Sequence, residues 1–140
     1  MSEIKKIESI NFNNYFPDIS DEKETLRVIQ ESDISINFGV SKKFEETKRC
    51  ILEIEINVEE YLESDILFRD VNLRASIIFE VEKLTNESIF LVYIGFLKEL
   101  LSYLEEITTF KDSPVKPMSF EDLIEESEKD RRNFIPEKSN

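Results

Sequence analysis

The chain has 140 residues, and 18 Lys and Arg against 31 Asp and Glu give it a formal net charge of −13 at pH 7. A hydrophobic content of 40% is enough for a core and excludes wholesale disorder. The chain contains no His and a single Cys, so the usual zinc ligand sets and the Ser-His and Cys-His nucleophile pairs are excluded. The acidic excess disfavours nucleic acid and anionic lipid, which leaves proteins as the expected partners.

The sequence also indicates where the protein is located and whether it has catalytic groups. No run of about 20 apolar residues is present, and the first residues lack the apolar core of a secretory signal, so we expect a cytoplasmic protein without membrane insertion. Cys50 cannot form an internal disulfide. Because no pair of carboxylates stands out from the many present, we expect no catalysis, no metal and no cofactor.

The first segment predicts a bulged or edge strand. Ile10, Phe12 and Phe16 share one parity, whereas Ile7 is out of step with them. Residues 17–31 show no sustained alternation, so they predict a long crossover or a loop with a short helix.

Three strands in series follow, because apolar and polar residues alternate along each of them. The polar segment KKFEETKR connects the first two. The apolar positions are Ile34, Ile36, Phe38 and Val40, then Cys50, Leu52, Ile54, Ile56 and Val58, then Val71, Leu73, Ala75, Ile77, Phe79 and Val81. This pattern predicts an antiparallel meander in which each strand is half-buried.

The period changes from two to about 3.6 after Thr85, which predicts a long amphipathic helix that begins near Asn86 with Asn86 as its cap. Gly95 is either a weak point of this helix or a place of close approach to another element. Two prolines end the helix, and Ser119 with Asp122 resembles a capping box that opens a second helix. The charged tail beyond Ser127 is expected to be flexible.

The predicted fold is therefore α+β. A four-stranded antiparallel sheet, with a long crossover after its first strand, is followed by two C-terminal helices. Residues 1–127 are predicted to form a single domain and residues 128–140 a charged tail.

Four segments, in this order, resemble the SecB-like family of cytoplasmic chaperones: SINFNNYFP, ISINFGVSKKFEETKRCILEIEINV, FRDVNLRASIIFEV and SPVKPMSFEDLIEE. They are similar to the first strand with the start of a proline-containing crossover, to the second and third strands, to the fourth strand, and to the start of the last helix. The resemblance covers residues 7–126. The chain differs from export-type members because its fourth strand lacks Gly and its first helix lacks Pro.

The resemblance implies a chaperone that holds unfolded polypeptides and forms a homo-oligomer, either a dimer or a tetramer. In the export branch, acidic residues of the first strand dock the motor SecA. Ser9 and Asn13, both uncharged, occupy those places here, and Asp70 matches an acidic position of the fourth strand. SecA therefore stays open as a partner but is disfavoured, and a branch associated with toxin–antitoxin systems is equally compatible with the residues.

Apolar residues in the crossover and last helix are candidates for a client groove, with a lid over the core as the equal alternative. Such a groove would bind unfolded polypeptide by excluding apolar side chains from water. These residues are Tyr15, Phe16, Ile19, Leu26, Val28, Ile29, Phe120, Leu123 and Ile124.

Acidic residues on the polar parity of the strands suggest an alternative function. Glu53, Glu55, Glu80 and Glu82, with Asp70, are predicted to form an acidic face, which is either merely solvated or binds one folded basic protein. In the second case the protein is an adaptor, an antitoxin-like factor or an inhibitor.

Overall fold

The structure, a computed structural model, describes residues 3–15, 28–62, 66–108 and 117–135. The elements in chain order are β1 (Ile4–Asn14), β2 (Val28–Val40), α1 (Phe44–Thr47), β3 (Arg49–Leu62), β4 (Ile66–Glu80), α2 (Asn86–Ile107) and α3 (Glu121–Lys129). They fall into two compact units, the first comprising Met1–Lys42 and Cys50–Phe79 and the second Lys43–Arg49 and Glu80–Asn140. Within the described ranges no helix is long and apolar enough to cross a membrane.

The four strands form one sheet in the order β1-β4-β3-β2. β2, β3 and β4 are consecutive neighbours, as the predicted meander requires, and β1 pairs antiparallel with β4 at the far edge. The register of β1 against β4 shifts between Ile7 and Ser9. The prediction of a bulged or edge strand is confirmed, since β1 lies at the edge of the sheet and its register shifts at Glu8. The α+β class is also confirmed.

One face of the sheet is buried, and it carries the apolar residues of the alternating pattern. In β3 every even-numbered residue from Cys50 to Leu62 is buried, and in β4 every odd-numbered residue from Arg69 to Phe79 is buried. The opposite, outer face carries the polar residues of the two central strands. Since successive side chains point to opposite faces, a shift of one residue would turn every apolar side chain outward.

A buried ion pair lies on the apolar face of the sheet. Arg69 of β4 and Glu60 of β3 pair through Nε and Oε1, and only 3% and 7% of their side-chain surfaces are exposed. Gln30 of β2 donates to the second Glu60 oxygen at 3.3 Å, so three strands meet at this polar contact. The alternating pattern places both residues among apolar neighbours. The charge of each side chain is compensated by the opposite charge on the neighbouring strand.

The second strand starts earlier than the sequence predicts. Val28 and Ile29, which we expected in the crossover, belong to β2 and pair with Leu62 and Tyr61. The segment from Val28 to Ser32 lacks clear alternation because its residues are all exposed, so local periodicity carries no signal for the pairing. The cross-strand partner, rather than the local pattern, makes this segment a strand.

The second unit contains the helices. The segment predicted as a polar connection includes the short helix α1, which ends at Lys48 in the left-handed conformation with φ of 56°. α2 begins at Asn86 as predicted, but its cap is Thr85. The Thr85 hydroxyl accepts from the Ser88 amide, and the Ser88 hydroxyl accepts from the Thr85 amide. The prediction of Asn86 as the cap is wrong, because the first turn is already satisfied by this reciprocal capping box.

Gly95 agrees with one of its two alternatives, a weak point of the helix, whereas the start of α3 differs from the expectation. A side chain at Gly95 would meet nothing within 4 Å, so within the described chain this glycine is not a place of close approach. The capping box predicted for Ser119 is absent, since Phe120 precedes α3 and no side chain caps it. The Phe120 amide instead donates to the Glu105 carboxylate of α2 at 3.1 Å. α3 extends to Lys129, two residues into the predicted tail.

The buried ion pair generates a prediction about stability. Replacing Glu60 with Leu leaves the Arg69 guanidinium buried without its partner, and we expect the free energy of unfolding to fall by about 3–5 kcal/mol. Combining Glu60→Leu with Arg69→Met should restore most of this loss, because no uncompensated charge remains. Urea denaturation followed by circular dichroism measures both.

The matched control is the exposed pair Glu55 and Arg74, which joins the same two strands on the outer face at 3.1 Å. Glu55→Leu should cost less than about 1 kcal/mol, since exposed pairs contribute little. Equal losses from Glu60→Leu and Glu55→Leu would contradict the role of burial.

Candidate functional site

The described groove candidates of the first unit gather at one end of the sheet. Tyr15 follows β1 and its amide donates to the Phe68 carbonyl of β4 at 3.0 Å, while Ile29 of β2 pairs with Tyr61 of β3. The outer face carries the side chains of Tyr15, Tyr61 and Ile29. From β1 to β2 these side chains span three strand spacings, or about 14 Å. Val28 is exposed at the same end but has the opposite parity. Phe16, Ile19 and Leu26 lie outside the described residues.

The carboxylate of Asp70 holds Tyr15 in place. Both of its oxygens accept hydrogen bonds from β1, one from Asn13 Nδ2 and one from the Tyr15 hydroxyl, each at 2.9 Å. The bond to Asp70 raises the pKa of Tyr15 above its usual value. Asp70 is a residue that we expected to dock a partner. Its two carboxylate oxygens orient the side chains of Asn13 and Tyr15.

A second tyrosine and carboxylate repeat this arrangement on β3. The Tyr61 hydroxyl donates to Glu59, and this bond, with smaller contributions from burial, Glu59 itself, Glu31 and Asp70, raises the pKa of Tyr61 to about 12. We refer to Tyr15, Tyr61 and Ile29, with the carboxylates of Glu59 and Asp70, as the sheet-end surface. It combines exposed apolar area with negative charge, a composition suited to polypeptide segments that carry apolar and basic residues.

The groove candidates of the last helix belong to the second unit and are mostly inaccessible. Phe120 has no exposed surface, Leu123 is buried and Ile124 is half-buried. In this chain Phe120 and Leu123 are core residues, so the lid alternative holds for them. The sequence could not separate the two readings, because a short amphipathic helix looks the same whether its apolar stripe is covered or open.

The residues of the expected acidic face belong to both units, Glu53, Glu55 and Asp70 to the first and Glu80 and Glu82 to the second. Glu53 and Glu55 lie on the outer face beside Glu8, whose carboxylate accepts from Ser76 at 3.3 Å. These three carboxylates line a hollow of about 100 Å³, and Arg74 enters it to pair with Glu55. The hollow is thus acidic but contains a cation of its own.

Glu80 and Glu82 belong to the second unit. Glu80 ends β4 with its carboxylate 3.9 Å from Arg49, and Glu82 is exposed beyond the strand. Among the described residues no group of three or more Cys, Asp and Glu side chains is arranged to hold a metal ion. Burial raises the pKa of the Cys50 thiol, which disfavours the reactive thiolate.

Sequence reasoning missed Tyr61, Glu59 and Glu8. Tyr61 lies three residues beyond Val58, the last residue of the predicted alternating run, and continues the polar parity of β3, so extending that run by three residues would have found it. Glu8 is the residue at the bulge, and the shift in register turns its carboxylate towards Ser76. Only the pairing of β1 with β4 could show this.

Comparisons with known proteins support the fold. No protein-family model matches the chain, and no curated protein matches it. Among solved structures, the chain is similar to the SecB-like chaperone Rv1957 of Mycobacterium tuberculosis, solved in complex with a ChAD peptide from the antitoxin HigA1, Rv1956. That similarity has a TM-score of 0.57 at 8% identity and covers 82% of this chain and 90% of the chaperone chain.

A second solved structure, a protein of unknown function from Streptococcus agalactiae, matches with 11% identity and a TM-score of 0.39 over 86% of this chain and 98% of that one. This score is too low to support an argument. The first comparison establishes a SecB-like fold for the chain, as the resemblance of the four segments predicted.

The Tyr61 and Glu59 contact predicts a titration. A free tyrosine ionises near pH 10, whereas Tyr61 in the folded chain should remain protonated until about pH 12. Because the folded-state pKa is the higher one, the stabilisation by this bond is complete below pH 10 and is lost as the pH rises through 12. Glu59→Gln should bring the pKa of Tyr61 down towards 10, as measured by near-ultraviolet absorbance of tyrosinate.

The Tyr61→Phe chain identifies which part of the absorbance belongs to Tyr61. Superimposable titrations of the original and Glu59→Gln chains would rule out the Glu59 carboxylate as the cause.

Proposed function

We propose that the protein is a SecB-like chaperone that binds unfolded or partly folded polypeptides and holds them in a non-aggregated state. The observation that carries the proposal is the sheet-end surface, where exposed Tyr15 and Ile29 flank Tyr61 on a SecB-like fold. The Mycobacterium tuberculosis neighbour with this fold was solved with a bound peptide of an antitoxin, which supports polypeptide as the ligand class here.

The mechanism follows from burial of apolar surface. An unfolded client gains about 25 cal/mol for each Å² of apolar area that it shields against the tyrosine rings and Ile29. This attraction is non-directional, so many clients can bind, and binding lowers the free concentration of chains that would otherwise aggregate. Glu59 and Asp70 add attraction for basic residues next to the apolar ones. No step requires a nucleotide, a cofactor or catalysis.

The setting of this activity is part of the proposal. We infer a cytoplasmic protein whose clients are destined for export or belong to a toxin–antitoxin pair. Self-association into a dimer or tetramer is supported by apolar side chains exposed on the edge strand β1 and on α2, namely Ile4, Ile7 and Leu91. Docking to SecA has little support, because Asp70 is engaged by Asn13 and Tyr15.

The acidic hollow supports a second candidate function. Glu8, Glu53 and Glu55 together attract positive charge, so the outer face would suit one folded basic protein. Such a complex would have a fixed stoichiometry and would weaken strongly as salt is added. Salt-insensitive retention of many unfolded chains would contradict it.

The experiment that tests the first function uses light scattering on a sizing column. The protein is mixed with one polypeptide kept unfolded by reduction and alkylation of its disulfides, and separately with the same polypeptide folded. We expect co-elution with the unfolded form alone. Retention of neither form, or of the folded form alone, would contradict the chaperone function.

The site is tested by the double variant Tyr15→Ser with Ile29→Ser. Removing apolar contact from two side chains should weaken client binding about tenfold, equivalent to about 1.4 kcal/mol. The matched control is Tyr103→Ser with Val40→Ser, since Tyr103 and Val40 are 38% and 41% exposed, against 51% and 41% for Tyr15 and Ile29. Equal effects of the two double variants on client affinity would remove the sheet-end surface from the binding site.

A further inference from the structure

The last described residues lie against the first turns of α2. We refer to Arg131–Ile135 as the strap, because this segment follows α3 outside any regular helix or strand and contacts α2 at Asn86, Phe90 and Tyr93. These three positions are spaced by four and three residues, so they form one face of the helix. The strap and this face of α2 both belong to the second unit.

Asn86 contacts mainly the backbone of the strap. Its Oδ1 accepts from the amides of Phe134 and Ile135, both at 2.9 Å, and its Nδ2 donates to Asn133 Oδ1 at 3.5 Å. Every residue except Pro has a backbone N–H, so the two amide contacts require no particular side chain. A side chain that binds two consecutive amides can accept many different segments.

Two aromatic rings of α2 receive the side chains of the strap. The Phe134 ring lies 5.5 Å from the Tyr93 ring at an interplanar angle of 56°, a tilted arrangement that aromatic pairs favour. The Arg131 guanidinium lies over the Phe90 ring, 5.2 Å from its centre. The face of α2 therefore accommodates a basic residue and an aromatic residue three positions later.

The strap lies at the surface of the second unit. Arg131 and Asn133 are exposed, and Arg132, Phe134 and Ile135 are half-buried. A cavity of about 250 Å³ is lined by Asn86, Glu87 and Phe90 of α2 and by Arg131, Arg132 and Asn133 of the strap. Exposed segments outside regular structure open at a lower free energy than core elements, which makes the strap the part of this contact that can leave α2.

We infer that Asn86, Phe90 and Tyr93 form a second binding site for extended client polypeptide with a basic residue three positions before an aromatic one, occupied in cis by the strap. The inference rests on the proposed function, because its ligand is an unfolded client. A tethered competitor has an effective concentration in the millimolar range, so a client binds only to the fraction of chains whose strap is displaced. The strap thereby weakens the apparent affinity for clients until a well-matched segment replaces it.

The first test uses a fluorescent peptide of residues 130–140 as the probe, with the full chain and a chain that ends at Asp130. The shortened chain should bind the probe at least tenfold more tightly than the full chain, measured by anisotropy. Phe134→Ala in the probe, or Asn86→Ala in the shortened chain, should each reduce binding at least tenfold, and a scrambled peptide should not bind. A shortened chain that is folded by circular dichroism and does not bind the probe would overturn the inference.

If the shortened chain does not fold, the full-length variant Arg131→Ala with Phe134→Ala takes its place. This variant keeps the length of the chain and removes the two side chains that contact the rings, so it should bind the probe at least tenfold more tightly than the unaltered chain. Failure of this folded variant to do so would overturn the inference in the same way.

The second test measures retention of the alkylated, unfolded polypeptide by both chains. At least threefold tighter retention by the shortened chain, reversed by excess probe, supports the inference. Equal retention by both chains overturns it and leaves the proposed function standing. No retention by either chain, with the probe still bound, overturns both and makes the strap a packing element. A dimer of the full chain that is absent from the shortened chain would place the strap on a second copy and overturn its action in cis.

Discussion

The one-sided burial of the sheet is the constraint on which the rest of the first unit depends. β3 and β4 bury every second side chain, so the alternation specifies both the face and the register of each central strand. The ion pair of Glu60 and Arg69 adds to this specification, because any register that separates the two residues leaves a charge buried without a partner. With one face committed to the interior, the other face is available for polar and functional residues.

The outer face is divided between two kinds of chemistry. Its centre is a polar network, in which Asn72 bonds Asn57 across β4 and β3 and Arg74 pairs with Glu55. At the sheet end, carboxylates accept from the hydroxyls of Tyr15 and Tyr61 and so orient the rings. The consequence is an apolar surface held by polar contacts, and in the proposed function such a surface presents area to a client without requiring a fixed client sequence.

We propose a different basis for binding varied ligands in the second unit. On α2, Asn86 contacts two backbone amides of the strap, and the rings of Phe90 and Tyr93 contact its Arg131 and Phe134 side chains. Nearly all residues have such an amide. In this proposal, tolerance of client sequence has two origins, hydrophobic burial on the sheet and backbone recognition on the helix.

Local periodicity by itself determined most of the fold. The period of two predicted the central strands, and the period of 3.6 predicted α2 from Asn86. Ile7, which is out of step with the parity of its segment, predicted a bulged or edge strand. These predictions succeeded because the parity of a strand and the stripe of a helix record which side faces water, and that record is local in the sequence. The fold class and its SecB-like character followed from the order of these elements.

Only the tertiary structure decided which residues become neighbours. Val28 and Ile29 are strand residues because Leu62 and Tyr61 lie opposite them, and Phe120 is core because its surroundings cover it completely. The oxygens of Asp70 accept hydrogen bonds from Asn13 and Tyr15, which are 57 and 55 residues away in the sequence. The physical reason is common to these cases: a side chain's accessibility and charge compensation depend on groups that are distant in sequence, and a local pattern contains no information about them.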